Sequence, residues 1–198
     1  MELSVDRRRE MSNRPYDYEV QWLERVGSQY IDTGIKGDLG GTVTTIECYN
    51  YQKKCGGIVG ASAGDRDYKY SIRGFTTGNI AFQIGLKGSE VSVDEGNHVF
   101  TLARTCKVDG NTVFTTTDGF NAGSLTVYLF AQNLSGSAAY TNNIPVRLGK
   151  ITMVRGNTTL RDFIPVVKDN VGYMFDKISG ELFGNKGTGN LGIGPRIQ

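Results

Sequence analysis

Cysteine, histidine, tryptophan and proline are all scarce in this 198-residue chain, with three, one, one and four respectively. Cys48, Cys55 and Cys106 are odd in number and irregularly spaced, which argues against a disulfide framework and predicts reduced, partly buried thiols. A Cys48–Cys55 bridge across a hairpin is the alternative. With a single histidine, His98, no Cys/His set has zinc-ligand spacing. A nucleophile would find one imidazole base in the whole chain, and no G-x-S-x-G elbow is present. No run approaches the ~18 apolar residues of a membrane-spanning helix. Lys and Arg number 22 against 20 Asp and Glu, for a net charge of +2. No basic block follows residue 14, whereas a nucleic-acid binder concentrates basic charge on one face. The N-terminus, "MELSVDRRREMSNRPYDYEV", lacks the apolar core of a secretory signal, so the expectation is synthesis in a cytosol without export by a signal of its own.

What the chain has is glycine and β-patterning. Its 27 glycines are twice the usual ~7% share. From Tyr18 onward, two-residue alternation and turn residues dominate. "YEVQWL" alternates toward Val20 and Trp22. "GTVTTIECYNY" puts Val43, Thr45, Glu47 and Tyr49 on one face and Thr44, Ile46, Cys48 and Asn50 on the other. "HVFTLARTCKVDGNTVFTTT" predicts a hairpin about Asp109-Gly110-Asn111, residues that accept positive φ. A second hairpin turns at Gly156-Asn157. "LTVYLFAQN" is almost continuously apolar, like a central strand covered on both faces. "RDFIPVVKDNVGYMFDKISGELFGN" breaks at Asp169-Asn170 and Ser179-Gly180, with Phe163, Tyr173, Phe175 and Phe183 as expected core aromatics. The count is ten to thirteen strands and no helix, which predicts two antiparallel sheets packed face to face. Residues 1–17, polar and carrying Arg7, Arg8 and Arg9 between Asp6 and Glu10, form either a solvated tail or an attachment arm. Residues 18–198 form one domain.

"QWLERVGSQYIDTGI" near the start and "LRDFIPVVKDNVGYMFDKISGELFGNKGTG" near the end resemble the two ends of a laminin-G-like, concanavalin A-type jelly roll, found in phage structural proteins and gut-bacterial surface proteins. "VDGNTVF", "VYLFAQN" and "LGKITMV" are similar to the same family's core hairpin and central strands. The resemblance covers roughly residues 18–194. It implies that the first and last strands pair, with Asp32-Thr33-Gly34 a turn in which Asp32 accepts backbone N–H groups. The fold also hosts lectins and glucanases, so function has to be argued from residues.

The jelly-roll glucanases carry carboxylates as E-x-D-x-x-E along one strand, and the two catalytic groups stand ~5–9.5 Å apart. This chain lacks that motif. Glu90 with Asp94-Glu95, and Asp65 with Asp67, come nearest. "GNKGTGNLGIG" has no helix after it to bind phosphate and reads as a flexible terminal loop. Calcium, which related lectins bind through loop oxygens, would fall to Asp65, Asp67 or Asp118; no cofactor is otherwise indicated. Binding is the surviving class. Tyr68, Tyr70 and Arg73 in "DYKYSIRG" are the candidate sugar contacts, although Tyr68, Tyr70 and Ile72 share a face that could equally pack inward. Tyr49, Tyr51 and Tyr140 are further candidates.

Two functions follow. In the first, the chain is a non-enzymatic phage virion protein (head-decoration, head-fibre or tail-associated). Arg7, Arg8 and Arg9 would attach it to other virion proteins, it would form a homo-oligomer, and it would display a lectin-like face to host or mucosal glycans. In the second, it is a bacterial carbohydrate-binding module. A glycoside hydrolase ranks below both.

Overall fold

Residues 14–36, 41–64, 69–118 and 125–198 are described in the computed structural model. They form nineteen strands and no helix, more and shorter strands than the alternation alone suggests. In chain order these are β1 (Tyr18–Glu19), β2 (Leu23–Arg25), β3 (Ile31–Lys36), β4 (Thr42–Tyr51), β5 (Gly57–Ser62) and β6 (Lys69–Gly74). Next come β7 (Ile80–Gly85), β8 (Lys87–Val91), β9 (Gly96–Leu102), β10 (Thr105–Val108), β11 (Asn111–Thr115) and β12 (Thr126–Leu129). The last are β13 (Gln132–Leu134), β14 (Ser137–Ala139), β15 (Val146–Arg155), β16 (Thr158–Lys168), β17 (Val171–Asp176), β18 (Glu181–Phe183) and β19 (Gly192–Ile193). They make an all-β sandwich of jelly-roll type. The larger sheet runs β11-β10-β9-β4-β15-β16-β17-β18, with β1, β2 and β19 beside it; the smaller contains β14-β13-β5-β6-β7-β8, with β3 and β12.

Turn chemistry sets the hairpins. Asp109 and Gly110 both have positive φ (51° and 81°) between β10 and β11, as do Asp169 and Asn170 (51° and 62°) between β16 and β17. Two consecutive positive values match the twist of paired strands. The Gly156-Asn157 turn joins β15 to β16 as expected. "LTVYLFAQN" is not one strand: Phe130, at φ 67°, breaks it into β12 and β13. β12 runs antiparallel to β5, whereas β13 runs parallel to it.

The chain ends do pair. β19 adds to β2, Val20 bridges Arg196, and β1 lies on β16. Three expectations change here. The chain breaks between β1 and β2, so Val20 and Leu23 face inward while Trp22 stays half-buried outside. Residues 184–198 form a strap rather than a loose loop. Within it, Asn185 Oδ1 accepts the Tyr30 and Gly187 N–H groups while its Nδ2 donates to the Gly187 and Gly189 carbonyls. The Asp32–Gly34 stretch lies within β3, although Asp32 Oδ1 does accept the Gly34 N–H at 2.9 Å.

Ile46, Phe100, Leu102, Ile151, Met153 and Phe163 of the larger sheet meet Val59, Ile72, Phe82, Ile84, Val127 and Leu129 of the smaller. Phe82 and Phe100 stand edge-to-face between the layers, with ring centroids 6.1 Å apart. β17 alternates, so Met174 points into this core while Tyr173 and Phe175 join a separate outer cluster with Tyr16, Ile164 and Val166. Tyr16 and Asp17 are docked there, the latter by its N–H to the Val167 carbonyl, so packing begins before residue 18. Arg7, Arg8 and Arg9 lie outside the described residues. Cys48, Cys55 and Cys106 are free and buried.

Candidate functional site

Strand β6 positions the sequence candidates, and its alternation separates them. Tyr70 and Ile72 face the core; Lys69, Ser71 and Arg73 lie on the outer face of the smaller sheet. Tyr70 is 3% exposed. Its hydroxyl meets Thr44 Oγ1 at 2.7 Å and the carbonyls of Thr42 and Leu102 at 3.1 Å, tying the smaller sheet to the larger. Burial pushes its phenol well above the usual range. Tyr70 therefore holds the layers together and is not available to a sugar. Tyr51 is likewise buried, packed edge-to-face on Phe100. Tyr68, Asp65 and Asp67 lie outside the described residues.

Arg73 is the candidate that emerges. Its guanidinium carbon lies 4.4 Å from the Phe75 ring centroid and 4.1 Å from that of Tyr140. Gly57 is its partner across β5 and has no side chain to obstruct this crossing. Tyr140, 37% exposed at φ 59°, is fixed from below by the Gly57 N–H, which donates to its carbonyl at 2.7 Å. Gly56 makes the approach possible: at φ +76°, a Cβ there would fall 2.1 Å from the Tyr140 oxygen. Among the described residues no hydrogen bond or ion pair reaches the Arg73 guanidinium, and its Nε is buried without a partner. Such an unmade hydrogen bond costs about 1–3 kcal/mol. Two rings thus hold a planar donor fork in place with its hydrogen-bonding capacity unused.

The same face continues away from this clamp. Tyr128, Gly60, Ser71, Gln83 and Gly88 form one cross-strand row; Gly57, Arg73, Ala81 and Glu90 form the next. Small residues make the floor. At the far end the Tyr30 and Tyr128 rings stack at 4.6 Å. Burial, with the Asp32 charge and Tyr30, raises the Tyr128 phenol. Strand spacing puts Tyr128 about 12 Å from Arg73, measured between Cα positions. Ser71, Ala81 and Tyr128 are buried, so what this face presents is the half-buried Gln83 between the Arg73 clamp and the Tyr30 ring, and flat ring faces suit sugar rings.

The larger sheet offers a contrasting outer face. Tyr49, Arg147 and Glu24 stand in one row. Arg147 stacks on Trp22 at 4.6 Å, but Glu24 already satisfies it at 2.6 Å. That cation is spent internally, whereas Arg73 is not.

Among the described residues, Glu95 and His98, both weighed as catalytic candidates, have local partners. Glu90 is exposed on β8, and the Glu95 carboxylate accepts the Lys53 N–H. His98 sits 2.8 Å from both Asp109 Oδ2 and the Asp94 carbonyl, so both ring nitrogens are occupied. Burial tends to raise the Asp109 carboxyl, but the Val99 N–H and His98 outweigh it and hold it below its ordinary value. Burial pushes Cys48, the cross-strand partner of His98, far from the thiolate form. Among the described residues no three His, Cys, Asp or Glu side chains converge as metal ligands. Asp118 is among those residues, in a stretch where Thr116 Oγ1 accepts its N–H.

No known protein family matches the sequence, and neither does any curated protein. Among solved structures, one similar chain is a Bacteroides ovatus protein described as "a putative carbohydrate binding protein". It shares 11% identity at a TM-score of 0.56, over 91% of this chain and 62% of that one. At that identity the likeness shows the fold. The chain spans less than two thirds of the protein it matches.

Sequence reasoning singled out Arg73 and Tyr140 separately. It missed Phe75, for which the signal was its place two residues beyond Arg73 on an extended segment. It also missed the Tyr30–Tyr128 pair.

Proposed function

We propose that this protein is a non-catalytic carbohydrate-binding module that holds an oligosaccharide on the outer face of its smaller sheet. The observation that carries the reading is the Arg73 guanidinium fixed between Phe75 and Tyr140 with no hydrogen-bond acceptor of its own. Tyr140 and Phe75 supply ring faces, Arg73 donates to sugar oxygens, and the half-buried Gln83 stands on the path toward Tyr128. The carbohydrate-binding description of the similar Bacteroides ovatus structure supports this class. The laminin-G-like, concanavalin A-type assignment is the corresponding fold-level proposal. Neither the fold nor the comparisons add support to the virion reading, and sugar binding does not depend on it.

A glycan array followed by calorimetric titration of the best ligand tests the proposal. Tyr140→Ala and Phe75→Ala are each expected to weaken binding by about tenfold, since an aromatic contact of 0.5–1.5 kcal/mol is lost together with the alignment of Arg73. Trp22→Ala, on the other sheet, should leave affinity unchanged. An array without hits, or affinity lost only with Trp22, would refute the assignment.

A further inference from the structure

The corner that holds Arg73 is electropositive beyond what the clamp needs. Arg25 is fully buried close by, donating to the Cys55 carbonyl and, at 2.9 Å, to the Asn142 carbonyl. Burial lowers its pKa to about 10, so it keeps its charge at neutral pH, and no carboxylate pairs with it among the described residues. Asn142 in turn donates to the Lys54 carbonyl at 2.8 Å, and Lys54 leads directly into the Cys55-Gly56 backbone beneath Tyr140. The loop before Gly56 runs past this corner, with the Lys53 side chain against Gly78 in the turn after Phe75. Glu95 approaches it, but through the Lys53 backbone N–H, and Glu90 lies two strands from Arg73. Arg73 and Arg25, neither with a carboxylate partner among the described residues, thus lie at one exposed aromatic clamp, and the backbone of Lys53 and Lys54 runs beside it.

Building on the binding role assigned to this face, we infer that the Arg73 end takes the oxyanion of an acidic sugar, a carboxylate or a sulfate ester. Neutral hydroxyls would be served by amides and short polar side chains. A planar fork with unused N–H groups pairs instead with two oxygens of one anionic group, and such charge-assisted bonds are the strong ones. The flanking rings fix the plane of the fork, so little freedom is lost when the anion arrives. Buried Arg25 adds positive potential at the same corner without competing for the ligand.

Trigalacturonate titrated beside its methyl ester, and a sulfated lactose beside lactose, separate the carboxylate and sulfate sources. At least one acidic probe is expected to bind about tenfold or more tightly than its neutral counterpart. That preference should weaken with added salt and disappear in Arg73→Gln. Arg73→Lys, which keeps the charge but loses the fork, should retain only part of it. A melting scan of each variant establishes that the fold is intact. Equal binding of acidic and neutral probes, or a preference that survives Arg73→Gln, would overturn the inference while leaving sugar binding in place. Failure of every probe, and of the glycan array, would remove both.

Discussion

Replacing Tyr70 with Phe removes one oxygen from the middle of the sandwich and changes nothing on its surface. That hydroxyl has one proton and two lone pairs. It accepts from or donates to Thr44 Oγ1 at 2.7 Å and reaches the Thr42 and Leu102 carbonyls at 3.1 Å. The partners are buried, so Phe strands the Thr44 hydroxyl and one carbonyl lone pair away from water. Leaving such groups unmade costs about 2 kcal/mol. For a domain of this size that lowers the melting temperature by ~4–8 °C. Sugar affinity, measured by calorimetry in the same buffer, should not move, because Ile72 and Tyr70 share the inner face while Arg73 is outside. Thermal melting of Tyr70→Phe and wild type, with Thr44→Val as a second member of the network, provides the assay. An unchanged melting point combined with weakened sugar binding would place Tyr70 at the ligand and refute the two-sheet assignment of this strand.

Two other outcomes follow from burial and close approach. Burial raises the Cys55 and Cys106 thiols to about 11, and Cys48 further, from an ordinary 9.0. The folded state then keeps protons that the unfolded chain releases, so this contribution to stability is complete below pH 9 and is lost between pH 9 and 11 for Cys55 and Cys106, with the Cys48 share still falling above that window. Each thiol should remove on the order of 1 kcal/mol by pH 10. Urea midpoints measured at pH 8 and pH 10 should fall accordingly, and fall less in Cys106→Ala; a flat profile would contradict the buried thiols. Gly56→Ala would push a Cβ into the Tyr140 carbonyl at positive φ. It is expected to lower melting temperature and sugar affinity together, whereas Gly110→Ala, whose Cβ meets open space, should leave affinity alone.

Local chemistry made parts of this fold legible and topology hid the rest. Asp109-Gly110 and Asp169-Asn170 announced their hairpins because few other pairs tolerate two positive φ angles. Period-2 reading put Tyr70 and Ile72 on one face correctly, yet alternation alone does not say which face is covered. Trp22 and Leu23 exchanged roles because the chain breaks between β1 and β2, and a break resets the alternation. Phe130 gave no warning of its positive φ, since a bulky apolar residue normally avoids it. The glycines of the C-terminal strap look like a flexible tail in sequence. In the fold they admit close approach: a Cβ at Gly187 would lie 2.0 Å from the Ser28 carbonyl. The clamp itself joins β6 to the segment after β14, and no spacing in the chain links Arg73 to Tyr140.

The most direct measurement is a side-chain NMR titration of the isotopically labelled protein with its best array ligand. The Arg73 Nε–H signal and the Phe75 and Tyr140 ring signals are expected to shift in proportion to occupancy, with the Trp22 indole signal unmoved. Shifts centred on Trp22 and Tyr49 with Arg73 silent would contradict that expectation.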